Sequence, residues 1–150
     1  RRVLFRSVGD GPDRGRLETL CQGSDVIFTG VLTGLNLAQA YATANVFVFA
    51  SQVETFGNVV LEAMASGLPI IAYDYASAHL HVKHAETGWL SPLSDVSSLI
   101  QSIYALPNNQ QLKVMGLLAR KTVQHIGWQY PVHQFEEALY GVVKEIQMTS

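Results

Sequence analysis

Two glutamates with seven residues between them, Glu54 and Glu62, are the residues of this 150-residue chain whose type and spacing best suit chemistry. They lie in the segment Glu54-Thr55-Phe56-Gly57-Asn58-Val59-Val60-Leu61-Glu62-Ala63-Met64-Ala65-Ser66-Gly67-Leu68-Pro69. Asn58 is a good helix cap, Leu61 and Met64 follow at helical spacing, and Gly67 with Pro69 stops the run. A helix is therefore expected from Asn58 to Ser66. Glu54 then falls in the preceding loop, and Glu62 lies one turn inside the helix with its side chain tilted back toward the start. Both carboxylates are expected at one cleft. Gly57 lets a ligand come close to the backbone. The N–H groups of Asn58, Val59 and Val60 point out of the helix start, at the positive end of its dipole. That is an anion site of the phosphate-binding kind. An ionised carboxylate accepts two hydrogen bonds from a vicinal diol, so two of them beside such a site suit a phosphate joined to hydroxyl-rich groups. A nucleoside diphosphate sugar has that chemistry, with a diol on each side of its pyrophosphate.

Elements that would position these groups can be read on either side. Val8-Gly9-Asp10-Gly11-Pro12 reads as a strand end and tight turn, and Asp13–Cys21 keeps Leu17, Leu20 and Cys21 on one helical face. Val26-Ile27-Phe28-Thr29 is a short apolar strand ending at Gly30, and Leu35, Leu37, Ala38, Tyr41 and Ala42 hold helical spacing up to Asn45. Val46–Ala50 is a continuous β-branched and aromatic run, as expected of a strand covered on both faces. Ser51–Gly57 is a loop, Ile70–Tyr73 is a strand, and Trp89-Leu90 begins another after Gly88. Three helices are expected beyond, over Val96–Leu106, Gln110–His125 and Val132–Ile146. Strands alternating with helices mean βαβ units, hence an α/β Rossmann-like parallel sheet with helices on both faces and a helical C-terminal segment. Right-handed crossovers put Gly9–Pro12, Thr29–Thr33, Ser51–Gly57 and Asp74–His79 at the carboxyl edge of that sheet, where such folds bind ligands.

Composition narrows the class further. Apolar types make up 48% of the chain and charged types 15%, so a full core can form. Ten basic against twelve acidic residues give a net charge of −2, which argues against a nucleic-acid partner. The single cysteine, Cys21, allows no internal disulfide and fits a reducing, cytoplasmic compartment. Arg1–Ser7 break the pattern, because Arg6 and Ser7 stand where a buried strand is expected. The string Arg-Val-Leu-Phe-Arg-Ser is similar to a translated sequencing adaptor. Residues 1–7 are therefore expected to be a non-native leader, and residues 8–150 one nucleotide-sugar-binding domain incomplete at its N-terminus. The alternative is an ordinary strand with one exposed end.

The Glu54–Pro69 segment resembles the Glu-x7-Glu signature of family 4, group 1 glycosyltransferases, retaining enzymes of the two-domain GT-B fold. Val8–Pro12 with Arg14 and Leu17 resembles the family's Val-Gly-Asp-Gly-Pro strand end and helix. Val26–Gly30 is similar to its strand ending in Phe-x-Gly, Thr87-Gly88-Trp89-Leu90 to its Thr-Gly-x-Leu turn, and Trp128 to its late tryptophan. The resemblance implies a donor-binding, C-terminal part of an enzyme that moves a sugar from a nucleoside diphosphate sugar to an acceptor hydroxyl. It implies that Glu54, the catalytic candidate, binds hydroxyls of the transferred sugar, with Phe56, Gly57 and Asn58 lining the pocket through backbone groups. Val59 and Val60 amides would hold the phosphates, Glu62 the ribose diol, Gly9 would contact the donor, and the loop after Phe28 would border the nucleobase. No cofactor and no metal are implied. A saccharide or lipid-linked acceptor would be bound by an N-terminal domain outside this chain, so the chain alone is expected to be inactive. Peripheral contact with the inner face of a membrane is compatible with the family.

The sequence departs from the family after Asp74, where a Gly-Gly pair and a later glutamate are usual and Tyr75-Ala76-Ser77-Ala78-His79-Leu80 stands instead. That loop is expected near the donor sugar. Other readings have less support. His79, His81 and His84 do not share a face at helix or strand spacing and have no cysteine or acidic cluster beside them, so they are not expected to hold a metal. A dinucleotide oxidoreductase would need a third glycine after Gly9-x-Gly11, where Arg14 follows. A sugar-nucleotide epimerase would need acid/base groups beyond His79. A non-catalytic nucleotide-binding module would have no use for two inward carboxylates.

Overall fold

A computed structural model describes residues 4–54 and 57–127, and the chain divides into two compact units, Arg1–Thr43 and Ala44–Ser150. The first unit contains β1 (Phe5–Val8), α1 (Arg14–Leu20), β2 (Val26–Gly30) and α2 (Gly34–Thr43). β1 and β2 pair in parallel from Phe5↔Val26 to Val8↔Gly30, with a register shift between Ser7 and Val8. The Gly9 amide extends the ladder to the Gly30 carbonyl at 2.8 Å. β1 thus takes in Phe5, Arg6 and Ser7, and it is exposed along its whole length. Arg14 pairs with Glu18 at 2.8 Å and with Asp10 at 3.5 Å across successive turns, exposed contacts of small energetic weight.

The second unit contains β3 (Phe47–Phe49), α3 (Asn58–Ala65), β4 (Ile70–Tyr73), α4 (Ala76–His81), β5 (Gly88–Ser91), α5 (Val96–Tyr104) and α6 (Asn109–Val123). Its sheet runs β3-β4-β5, all parallel. Central β4 reads Ile-Ile-Ala-Tyr and is buried at every position, as a parallel strand covered on both faces must be. Alternation sends Ile71 and Tyr73 to one face, where they cluster with Leu99 of α5. Val46, Val48, Trp89, Ile103 and Leu106 pack around that cluster, so Trp89 is a packing residue. α3 packs on β4 as well and also meets α6.

Helix ends in this unit follow from local chemistry. α3 stops in a Schellman arrangement: the Gly67 amide donates to Met64 and the Leu68 amide to Ala63, with Gly67 at φ 79°. A β-carbon on Gly116 of α6 would stand 1.9 Å from the Gly67 carbonyl oxygen, so only glycine lets α6 come this close to the α3 terminus. Asp95 accepts from the Ser98 amide and Asn108 from the Gln111 amide, capping α5 and α6. The expected boundaries shift slightly. α5 ends at Tyr104 rather than Leu106, which precedes Pro107. α6 starts at Asn109, directly behind its cap. The expected helix over Val132–Ile146, and Trp128, lie outside the described residues.

Candidate functional site

Parallel pairing puts the carboxyl ends of β3, β4 and β5 on one edge, and the loops leaving that edge carry Glu54, Asp74 and Asp95. Between β3 and α3 the chain turns at Gly57, the N-cap of α3, with φ 61° and ψ 34°. Glycine enters this left-handed region without steric cost. The turn changes the expected cap. Asn58 is the first helical residue and not the capping one, because the left-handed step at Gly57 starts the helix one residue earlier.

The amides at the helix start divide accordingly. Val60 donates its N–H to the Gly57 carbonyl at 2.9 Å, a tight first turn, so it is not the outward-pointing donor expected from sequence. Asn58 and Val59 open the helix and have no carbonyl four residues back within it. Val60, Ala63 and Met64 form the buried face that anchors α3. Phe56 lies outside the described residues.

Gly57 is also a point of close packing. A β-carbon there would lie 2.5 Å from the Ser77 Cβ, 3.3 Å from the Ser77 Oγ and 3.3 Å from the Glu54 Cγ. Glu54, Gly57 and Ser77 therefore meet, and the first turn of α4 comes against the first turn of α3. Ser77 is only 4% exposed, and its hydroxyl has no hydrogen-bond partner among the described residues. Sequence reasoning marked the 75–80 loop only as a departure from pattern and missed Ser77. Its signal was a small polar residue just beyond the carboxyl end of a fully buried strand.

Glu62 stands elsewhere along α3. With Leu61, Ala65, Val123 and Ile126 it lines a cleft of about 220 Å³ between α3 and the end of α6, and Glu54 is not among the lining residues. Glu54 lies before the helix, against its start, and Glu62 lies in its second turn, on the side where α6 ends. Gly9 belongs to the first unit, at φ 125°. The residues after Phe28 belong to it too, with the Thr29 hydroxyl donating to the Ser7 carbonyl at 3.1 Å.

The stretch expected as an Asp74–His79 loop contains α4 instead. His79 Nδ1 lies 2.7 Å from an Asp74 carboxylate oxygen, both side chains exposed. His84 Nδ1 accepts from the Leu90 amide at 3.1 Å, a structural bond that fixes its ring. Burial lowers the pKa of His81 below its ordinary value. Among the described residues no three of His, Cys, Asp and Glu gather as a metal site would need. None of the described helices is long and apolar enough to cross a membrane.

Comparison with known proteins bears on this arrangement. The family model described as glycosyl transferases group 1 matches residues 1–109. The chain belongs to that family. Sulfoquinovosyl transferase SQD2 of Arabidopsis thaliana is 36% identical over 144 residues, 93% of this chain and 28% of that protein. A GDP-mannose-dependent alpha-mannosyltransferase of Mycobacterium tuberculosis is 38% identical over 121 residues, 81% of this chain and 31% of that protein. The chain therefore spans about three tenths of the length of these curated relatives. Among solved structures, sucrose-phosphate synthase from Thermosynechococcus elongatus matches with a TM-score of 0.75 and 32% identity, over 96% of this chain and 39% of that one. The chain has the α/β, Rossmann-like fold of these GT-B glycosyltransferases, as the sequence predicted.

Proposed function

We propose that this glycosyltransferase chain is the donor-binding part of a retaining enzyme that moves a sugar from a nucleoside diphosphate sugar to an acceptor hydroxyl. The observation that carries this reading is the left-handed Gly57 opening α3, with Glu54 against it and Glu62 one turn in. The Asn58 and Val59 amides and the helix dipole attract the diphosphate. Glu54 accepts hydrogen bonds from hydroxyls of the transferred sugar, and Glu62 from the ribose diol in its cleft beside α6. With Val60 engaged by Gly57, two amides carry the anion contact, in place of the three that the sequence suggested. A relative named for its dependence on GDP-mannose supports a nucleoside diphosphate sugar as donor.

No metal is assigned a role. The positive end of the α3 dipole offsets part of the charge of the leaving diphosphate. The acceptor, a saccharide or a lipid-linked sugar, is bound by a further domain, so the isolated chain binds donor and transfers nothing. Sugar transfer by the chain alone would contradict that part.

Ligand-observed NMR on the chain with UDP, GDP, ADP and their sugar conjugates, beside Glu62→Ala, tests the donor site. One nucleotide is expected to bind, and loss of a charge-assisted hydrogen bond is expected to weaken it by about tenfold or more. Equal binding by both proteins would remove Glu62 from the site.

A further inference from the structure

We propose that Ser77 is a specificity-determining residue of the donor site, its hydroxyl hydrogen-bonding a hydroxyl of the transferred sugar. This rests on the donor-binding reading above. A buried hydroxyl without a partner is uncommon in folded proteins, because its desolvation goes uncompensated. Ser77 is such a group: 4% exposed, with no partner for its Oγ among the described residues. Its surroundings say what it serves. The Oγ would lie 3.3 Å from a β-carbon on Gly57, and the Glu54 Cγ lies at the same 3.3 Å from that point. The hydroxyl and the Glu54 side chain therefore flank one position, the N-cap of α3.

Two details favour the sugar over the phosphate. The neighbour of Ser77 across Gly57 is Glu54, to which the sugar hydroxyls are assigned. A hydroxyl both donates and accepts, which matches another hydroxyl, whereas a diphosphate offers only acceptors. Rotation about χ1 carries a serine Oγ among three staggered positions while its Cβ stays in place, and binding of the sugar would draw on that freedom. His79 is a poorer candidate. Two residues further along α4, it points about 200° away from Ser77 and pairs with Asp74.

The test compares the wild-type chain with Ser77→Ala in binding UDP against UDP-glucose and GDP against GDP-mannose. Thermal unfolding is measured without ligand. Ser77→Ala is expected to bind the sugar conjugate about fivefold more weakly, with the free nucleoside diphosphate unchanged. Its unliganded unfolding midpoint should be equal or higher, since no hydrogen bond is lost. Unchanged affinity for the conjugate would overturn the proposal. Equal weakening of nucleotide and conjugate would assign the hydroxyl to phosphate and overturn the sugar assignment. A lowered midpoint accompanying the loss would make Ser77 a structural residue and likewise overturn it. Failure of the wild type to bind any nucleotide or conjugate would overturn the donor-site reading and this proposal together.

Discussion

β2 in the first unit reads Val-Ile-Phe-Thr-Gly and buries only its last residue, whereas β4 in the second reads Ile-Ile-Ala-Tyr and buries all four. Composition alone does not separate these strands. Both are parallel and both are rich in the residues that favour strands. What differs is the number of neighbours among the described residues: β2 pairs with β1, and β4 lies between β3 and β5 with α5 on one face. The contrast extends through the units. Among described residues of the first unit only Gly30 is buried, while every buried hydrophobic residue from Val60 to Val123 belongs to the second. Burial is a property of the stack in which a strand sits, so two apolar parallel strands of similar composition bury different shares of their residues.

Core truncation should break the symmetry of the two units most strongly. Met64→Ala removes a fully buried side chain from the second unit and should cost about 2–5 kcal/mol. Leu17→Ala in the first, 38% exposed, should cost less than ~1 kcal/mol. Urea unfolding of both variants checks this, and similar losses would mean that the first unit has a core after all.

Helix caps sharpen the comparison at a lower energy. Asp95 caps α5 through the Ser98 amide, so Asp95→Ala should lower stability by about 1 kcal/mol. Asp13 begins α1 without a side-chain cap bond and spends its carboxylate on Arg16 instead, so Asp13→Ala should fall within about 0.5 kcal/mol of wild type. The same unfolding series reads both.

The smallest effect concerns acid. All five histidines lie in the second unit, and His81 has its pKa lowered by burial from the ordinary 6.5. Between 6.5 and that lower folded value, the unfolded chain binds more protons than the folded one. The stability contribution is therefore complete above the unfolded pKa and is lost as pH falls through the folded one. His81→Gln should flatten this part of the pH profile of the unfolding midpoint. A profile identical to wild type would show that another group governs it.

Much of this was legible without coordinates, and the reasons are local. Gly67 and Pro69 announce the end of α3, and the structure closes it with the Schellman bonds that glycine permits. Ile70–Tyr73 reads as a covered strand because four consecutive apolar residues leave no face for water. Pairing and cleft geometry were less legible. Asn58 has the chemistry of a cap, yet a backbone turn at Gly57 took that role. Val60 counted as an outward donor until the tight first turn engaged it.

The sequence by itself determined the strand–helix alternation, the glutamate pair with its intervening glycine, and the family to which these belong, because each depends on residue types at short separations. Only the tertiary structure decided that Ser77 comes against Gly57 and that Glu62 faces the end of α6. Those contacts join residues twenty or more positions apart, and the packing of α4 and α6 on α3 sets them. Periodicity constrains the face a residue takes on its own helix, but which helix arrives on that face depends on how the whole core fills space.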